Sequence, residues 1–186
     1  MQARFNQKKA AHAASVFLRL HGRKMSYLKL IKLLYLLDRT ALERWERPVT
    51  GDRYVSRKLG PVLSNVRDLI VWEQPQAHSD LWHDLIGNAG KFEVELKRPV
   101  EPDSLSEREL ELIAELFGKF GQMDRWKLAE YTHSLPELKK PDRDNSACPL
   151  EYEDILKALG KTPEEATAIC GEIMDLNRVA DLVGSK

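Results

Sequence analysis

The sequence predicts a mainly α-helical fold, a single compact helical domain that carries a small antiparallel β element. Three observations predict it. Apolar residues recur at helical spacing over most of the chain. Cap and stop residues punctuate those stretches, with Ser106, Asp124 and Thr162 at starts and Gly22, Pro48 and Gly121 at ends. One stretch breaks the pattern: in Lys91–Lys97, Phe92, Val94 and Leu96 alternate with Glu93, Glu95 and Lys97, the period of a half-buried strand.

The first helix spans Asn6–His21, with Ala10, Ala13, Ala14, Phe17 and Leu20 on one face and Gly22 at its end. Ser26 suits the cap of the next helix, YLKLIKLLYLLDRTALERW, which Pro48 stops. Leu30, Ile31, Leu33, Leu34, Leu36 and Leu37 leave it only a narrow polar stripe, which marks a central, buried helix. Val49–Ser56 reads as a turn around Thr50-Gly51-Asp52 entering a short strand, and Gly60-Pro61 as the start of another helix with Val62, Val66, Leu69 and Ile70 inward. Leu81, Trp82, Leu85 and Ile86 form a short helix closed by Gly87. A lone strand is not stable, so Phe92–Leu96 is expected to pair with the stretch near Tyr54–Ser56. Ser106-Glu107-Arg108-Glu109 is a capping box flanked by Leu105 and Leu110, and it opens a helix ending at Gly121. Asp124 caps the next, to about His133. Ser134–Cys148 reads as a long loop, with Pro136, Pro141, Asp142, Asp144 and Asn145. Two C-terminal helices fill 149–183: Pro149–Leu159, and one from Thr162-Pro163 that carries Ala166, Ile169, Ile173, Leu176 and Val179. The expected total is about seven helices, with no repeat and no linker dividing 1–186.

Composition bounds the function. A chain of 186 residues buries enough surface to need no disulfide or metal staple. Cys148 and Cys170 are therefore read as free thiols in a reducing compartment. Lys plus Arg and Asp plus Glu both number 29, so the basic excess typical of a DNA-binding domain is absent from the total. His12, Ser15 and Arg19 interrupt any signal-peptide run, and Lys29 and Lys32 interrupt the most apolar segment, Tyr27–Leu37. The expected location is the cytoplasm, away from membrane.

Neither GxxxxGK[ST] nor GxGxxG, HExxH or CxxC occurs. The histidines are His12, His21, His78, His83 and His133; with the two cysteines some of them could build a metal site, against the plainer reading of polar residues around Trp82. Cys148 would need a basic neighbour to act as a nucleophile, and its sequence context matches no nucleophile motif. Trp126–Tyr131 after a short turn admits a helix-turn-helix reading; the rival is a core-facing helix with Trp126 and Leu128 buried, and the proline-rich loop that follows favours the rival. No catalytic residue, metal or cofactor is assigned. Tyr35 and Tyr54 are candidate partner-binding anchors, as aromatics often are in interfaces, with a core role for Tyr35 as the alternative. Arg53, Arg57 and Lys58 form a small basic cluster that either touches a partner or is a solvated turn.

Two groups of segments carry a resemblance. Lys29–Arg39 is followed by Val49-Thr50-Gly51-Asp52-Arg53-Tyr54-Val55 and Gly60-Pro61-Val62, giving KLxKLLYLxD…TGDxY…GPV. LSERELELIAELFGKF and then LAEYTH at Leu128–His133 follow in order. The set, across about 26–135, resembles the Panacea (SocA-like antitoxin) domain. The loop after Thr132-His133 is longer here than in that pattern. The resemblance implies a mostly helical domain that neutralises a cognate toxin encoded beside it, and the absence of chemical motifs makes direct binding without catalysis the expected means. The alternatives are a protease adaptor that delivers the toxin to a cellular protease, and a transcriptional or nucleic-acid regulator. A nucleic-acid partner is disfavoured by the neutral charge.

Overall fold

The computed structural model describes residues 4–71, 81–139 and 147–184, and among them eight helices and six short strands. α1 (Gln7–Leu20) is capped by Asn6, whose side chain accepts from the Lys9 N–H at 3.0 Å. Its small side chains, Ala10, Ala11, Ala13 and Ala14, are all fully buried, which lets neighbouring helices approach. Gly22 (φ 92) and Arg23 (φ 77) then turn the chain into β1 (Lys24–Ser26). α2 (Tyr27–Trp45) is the central helix: it packs on α1, and its residues from Lys29 to Asp38 are all buried. Ser26 precedes it without capping it, since its hydroxyl makes no cap bond and has no hydrogen-bond partner. Glu46, in the left-handed conformation (φ 57), ends α2, and Pro48 follows.

β2 (Tyr54–Arg57) and β3 (Gly60–Leu63) form a tight antiparallel hairpin across Lys58 and Leu59. The helix expected from Gly60-Pro61 thus starts later, as α3 (Ser64–Val71). Gly60 has φ 88, the left-handed position that closes such a hairpin, and Pro61 is tolerated because β3 is an edge strand. α4 (Leu81–Leu85) and β4 (Ile86–Asn88) lead to β5 (Glu93–Leu96). The expected partnership of this strand with Tyr54–Ser56 is not what forms. β5 lies between β1 and β4, with Met25 opposite Val94 and Ile86 opposite Leu96. The hairpin already fills one side of β2, and β6 (Cys148–Leu150) fills the other.

α5 (Glu107–Phe120) begins with the expected capping box: Glu109 accepts from the Ser106 N–H at 2.7 Å. α6 (Arg125–His133) is capped by Asp124, which accepts from Trp126 N–H at 2.8 Å and Lys127 N–H at 3.0 Å. α7 (Tyr152–Ala158) starts three residues later than expected, because 148–150 is used as strand. α8 (Pro163–Gly184) buries Ala166, Ile169 and Ile173, while Leu176 and Val179 are exposed. One hydrophobic cluster runs from Ala10 in α1 to Ile173 in α8.

Candidate functional site

The residues that carry the sequence motifs converge inside the molecule, along one polar seam of α2. Lys29, Lys32, Tyr35 and Asp38 recur every third position, so each steps back about 60° from the last and the seam winds halfway round the helix. Each reaches a different loop. The Lys29 ammonium donates to the Gly121 carbonyl at 2.6 Å, at the end of α5. Lys32, fully buried, donates to the Pro61 carbonyl at 2.6 Å and so holds the hairpin. Tyr35 donates to Glu137 at 2.8 Å, and Arg39 to the same carboxylate at 2.7 Å. The Asp38 carboxylate accepts from Val49 N–H (2.8 Å), Thr50 N–H (2.7 Å) and the Tyr54 hydroxyl (2.7 Å), and also from the Thr50 hydroxyl. Asp52 gathers the N–H groups of Arg53, Asn65 and Val66, acting as a remote cap for α3.

Burial dominates the electrostatics of this seam. It pushes the Asp38 carboxyl up to about 6, against the opposing pull of its hydrogen bonds. It pushes Lys32 down to about 7, with no carboxylate beside the ammonium to offset it. The Tyr35 and Tyr54 hydroxyls are raised well above their ordinary range by burial, with acidic neighbours adding to it. This is a framework of positioning groups: two charges without solvent, each satisfied by short bonds to backbone that would otherwise be free to move.

Tyr35 and Tyr54 are therefore not surface anchors. They are 0% and 1% exposed, and they stack edge-on in a row with Tyr152 at 5.6 and 5.4 Å between ring centroids. The core alternative for Tyr35 is the structure. The spacing that placed Tyr35 on an apolar helix was the available signal. Tyr54 sits on the inward face of β2, whose pattern is buried, half-buried, buried, half-buried. The basic cluster is split. Arg53 is exposed, just before the start of β2, whereas Arg57 and Lys58 are at the hairpin tip, roughly 13 Å further along an extended strand. Arg57 is half-buried and its Nε is enclosed without a hydrogen-bond partner.

What the sequence reading missed lies at that tip. Trp126 was expected inside with Leu128; Leu128 is fully buried, but Trp126 is 57% exposed. With Leu59, 45% exposed, it lines a shallow groove of about 240 Å³ whose other walls are Lys58, Ala129, Glu130 and His133. On α6, residues 126, 129, 130 and 133 share one face. Gly60 suits this approach: at φ 88 a Cβ there would come within 3.1 Å of the Thr132 hydroxyl and 3.3 Å of the His133 nitrogen, so a side chain would strain the turn and press the hairpin off α6. A face count around α6 would have put Trp126 opposite Leu128, the one signal in the sequence that pointed outward.

No metal constellation replaces these features. Among the described residues, no group of three or more His, Cys, Asp or Glu is placed to hold a metal ion, and His78 lies outside the described residues. His12 is buried against the Ser104 hydroxyl and His83 bonds the Leu69 carbonyl. Cys148 sits in β6 opposite Ser56, and Cys170 is buried in α8. Of the loop expected over Ser134–Cys148, residues 140–146 lie outside the described ones; Glu137 is anchored inward, and no second helix follows α6 before β6 among the described residues. No helix among the described residues is long and apolar enough to cross a membrane.

Comparison with known proteins agrees with the sequence pattern. No curated protein and no solved structure matches the chain. A family model described as the antitoxin SocA-like, Panacea domain matches residues 30–137, more than half of the chain. The match begins within α2 and ends at Glu137, whose carboxylate bonds back to Tyr35 and Arg39 of α2. From the matched span and the framework it encloses, the chain belongs to the SocA-like antitoxin (Panacea domain) family.

Proposed function

We propose that this protein is a cytoplasmic antitoxin that neutralises a co-encoded toxin by binding it directly, as one folded unit of residues 1–186, without a cofactor and without catalysis. A toxin–antitoxin role is what the family implies. The observation that carries the direct-binding reading is the division of labour in the structure. The motif residues Lys32, Tyr35, Asp38, Asp52 and Tyr54 are buried and bonded to the fold itself, while two of the large apolar groups exposed at the surface, Trp126 and Leu59, sit together on a groove. A buried framework supplies shape, and an exposed tryptophan is the kind of group that supplies binding energy. Neutralisation needs only a stable complex that covers or misaligns the toxin's working site.

The test is co-expression with the product of the adjacent gene. Growth should be rescued and the two proteins should co-purify in near-equal amounts, in cells with and without their cytoplasmic proteases. Rescue that vanishes when a protease is deleted, with no isolable complex, replaces direct binding with delivery for degradation. A harmless neighbour, together with binding of the purified chain to duplex DNA that weakens steeply with salt, replaces it with a regulator.

A further inference from the structure

We propose that Lys32 is a proton-linked latch on the β2–β3 hairpin: the tip lies closed on α6 over a neutral amine, and it lifts as that amine takes up a proton. Lys32 is fully buried in α2, and its Nζ donates to the Pro61 carbonyl at 2.6 Å. An ammonium carries three N–H donors, and among the described residues that carbonyl is the acceptor which meets them. A neutral amine has one donor fewer to satisfy. The cover over the amine is the tip itself. A Cβ on Gly60 would stand 3.3 Å from the Lys32 Nζ, 3.1 Å from the Thr132 hydroxyl and 3.3 Å from the His133 backbone nitrogen, so α2, the hairpin and α6 meet at this one corner. The corner is thin: Gly60 and Pro61 are buried, but Lys58 and Leu59, immediately before them, are exposed. Moving Gly60 and Pro61 aside wets the amine and breaks its bond in one step.

Burial opposes the proton while the tip is closed. The titratable side chains on the elements packed there are Lys29 and Tyr35, one turn away on α2, Arg57 and Lys58 on the hairpin, and Glu130, Tyr131 and His133 in the last turn of α6. Lys29 donates to the Gly121 carbonyl and Tyr35 to Glu137. The buried carboxylates nearest in the chain, Asp38 and Asp52, are occupied by backbone N–H groups of other segments. None of these groups offsets the burial, which pushes Lys32 from 10.5 down to about 7. Once the tip lifts, the amine stands in water and regains its ordinary value. Between the two values the open form holds one proton more than the closed form, so opening is favoured as pH falls toward 7 and changes little below it. A partner that seats by lifting the tip therefore binds with uptake of a proton, whereas one that reads the closed tip does not.

Hydrogen exchange of the full chain tests this. Rates are taken by quench-flow at about pH 7, 8 and 9 and divided by each amide's intrinsic rate, which gives the opening equilibrium. The reporters are the Gly60 and Val62 amides, opposite Arg57 and Val55 in the hairpin, with the amides of Leu33–Leu37 in α2 as the measure of global unfolding. The tip amides should exchange through an opening smaller than global unfolding, and its equilibrium constant should fall roughly 50-fold from pH 7 to pH 9. In Lys32→Met the constant should stay within about threefold over the same range. A second measurement needs no variant: in wild type with lysines labelled at Cε, the Lys32 resonance should titrate near 7. Tip amides that exchange only together with those of α2 would show that the hairpin does not open by itself. A local opening that is flat with pH in wild type, or one whose slope persists in Lys32→Met, would show that Lys32 is not its proton acceptor. A Lys32 resonance titrating near 10.5 would place the amine in water in the closed form, and the latch would be refuted even if the methionine variant failed to fold.

Discussion

Replacing Asp38 tests whether the buried seam of α2 holds the fold together in the way its geometry requires. The carboxylate is fully buried and accepts four hydrogen bonds, two of them from the backbone N–H groups of Val49 and Thr50. Those two donors cannot turn elsewhere, whereas the Thr50 and Tyr54 hydroxyls can rotate. A buried donor left unsatisfied costs about 1–3 kcal/mol. Asp38→Ala orphans both backbone donors; Asp38→Asn keeps an oxygen facing them. The alanine variant should therefore be less stable than the asparagine variant by about 2–6 kcal/mol, a large part of a total of about 5–15 kcal/mol. The charge gives a second, independent handle. Burial raises the folded-state value from 3.8 to about 6, so between these pH values the folded protein keeps a proton that the unfolded chain has released. Stability then falls as pH rises through that window, and relative to Asp38→Asn, which cannot ionise, the wild type should lose about 2 kcal/mol between pH 4 and pH 7. Urea denaturation of the three proteins at several pH values measures both quantities. Alanine and asparagine variants within 0.5 kcal/mol of each other would refute the bonding argument. A wild-type-minus-asparagine difference that is flat with pH would refute the desolvation argument.

Other positions on the framework make separate predictions. Burial lowers Lys32 from 10.5 to about 7, so above pH 7 the folded state sheds a proton that the unfolded chain retains; wild type should gain about 4 kcal/mol relative to Lys32→Met between pH 7 and pH 10, and a difference that does not change in urea melts would place the ammonium in water. Glu137→Ala should cost about 3–5 kcal/mol, because it strands the Arg39 guanidinium and the Tyr35 hydroxyl inside; a melting temperature equal to wild type would show that the tie between α2 and the segment after α6 is dispensable. Gly60→Ala should cost about 1–3 kcal/mol, from φ 88 and from the 3.1 Å approach to Thr132, and a neutral effect on chemical denaturation would mean that the hairpin can lift off α6 freely.

The sequence by itself determined the helices whose ends are marked locally. Ser106 and Asp124 cap where they were expected, and Pro48 follows the end of α2, because such signals act within a few residues and need nothing from the rest of the chain. Family membership was legible for a related reason: the order of Lys29, Lys32, Tyr35, Asp38, Thr50, Asp52 and Tyr54 survives as text even though their contacts are remote. Strand partnership was not legible. The alternation at Glu93–Leu96 says that one face is buried, but not against which edge; β5 pairs with β1, delivered by the Gly22–Arg23 turn, and with β4, while both edges of β2 are taken by β3 and β6. The tyrosine anchors failed for the opposite reason: Tyr35 and Tyr54 have the composition of an interface, and only their partners, Glu137 about a hundred residues away and Asp38 on the neighbouring helix, hold them inside. Trp126 is the mirror case. Its size argued for burial, but Leu128 on the other side of α6 takes the core position, and the helix cannot turn both inward. Tertiary structure alone decided where Lys58, Leu59 and Trp126 meet, because that meeting depends on a buried lysine bonding one carbonyl and on the missing side chain of Gly60.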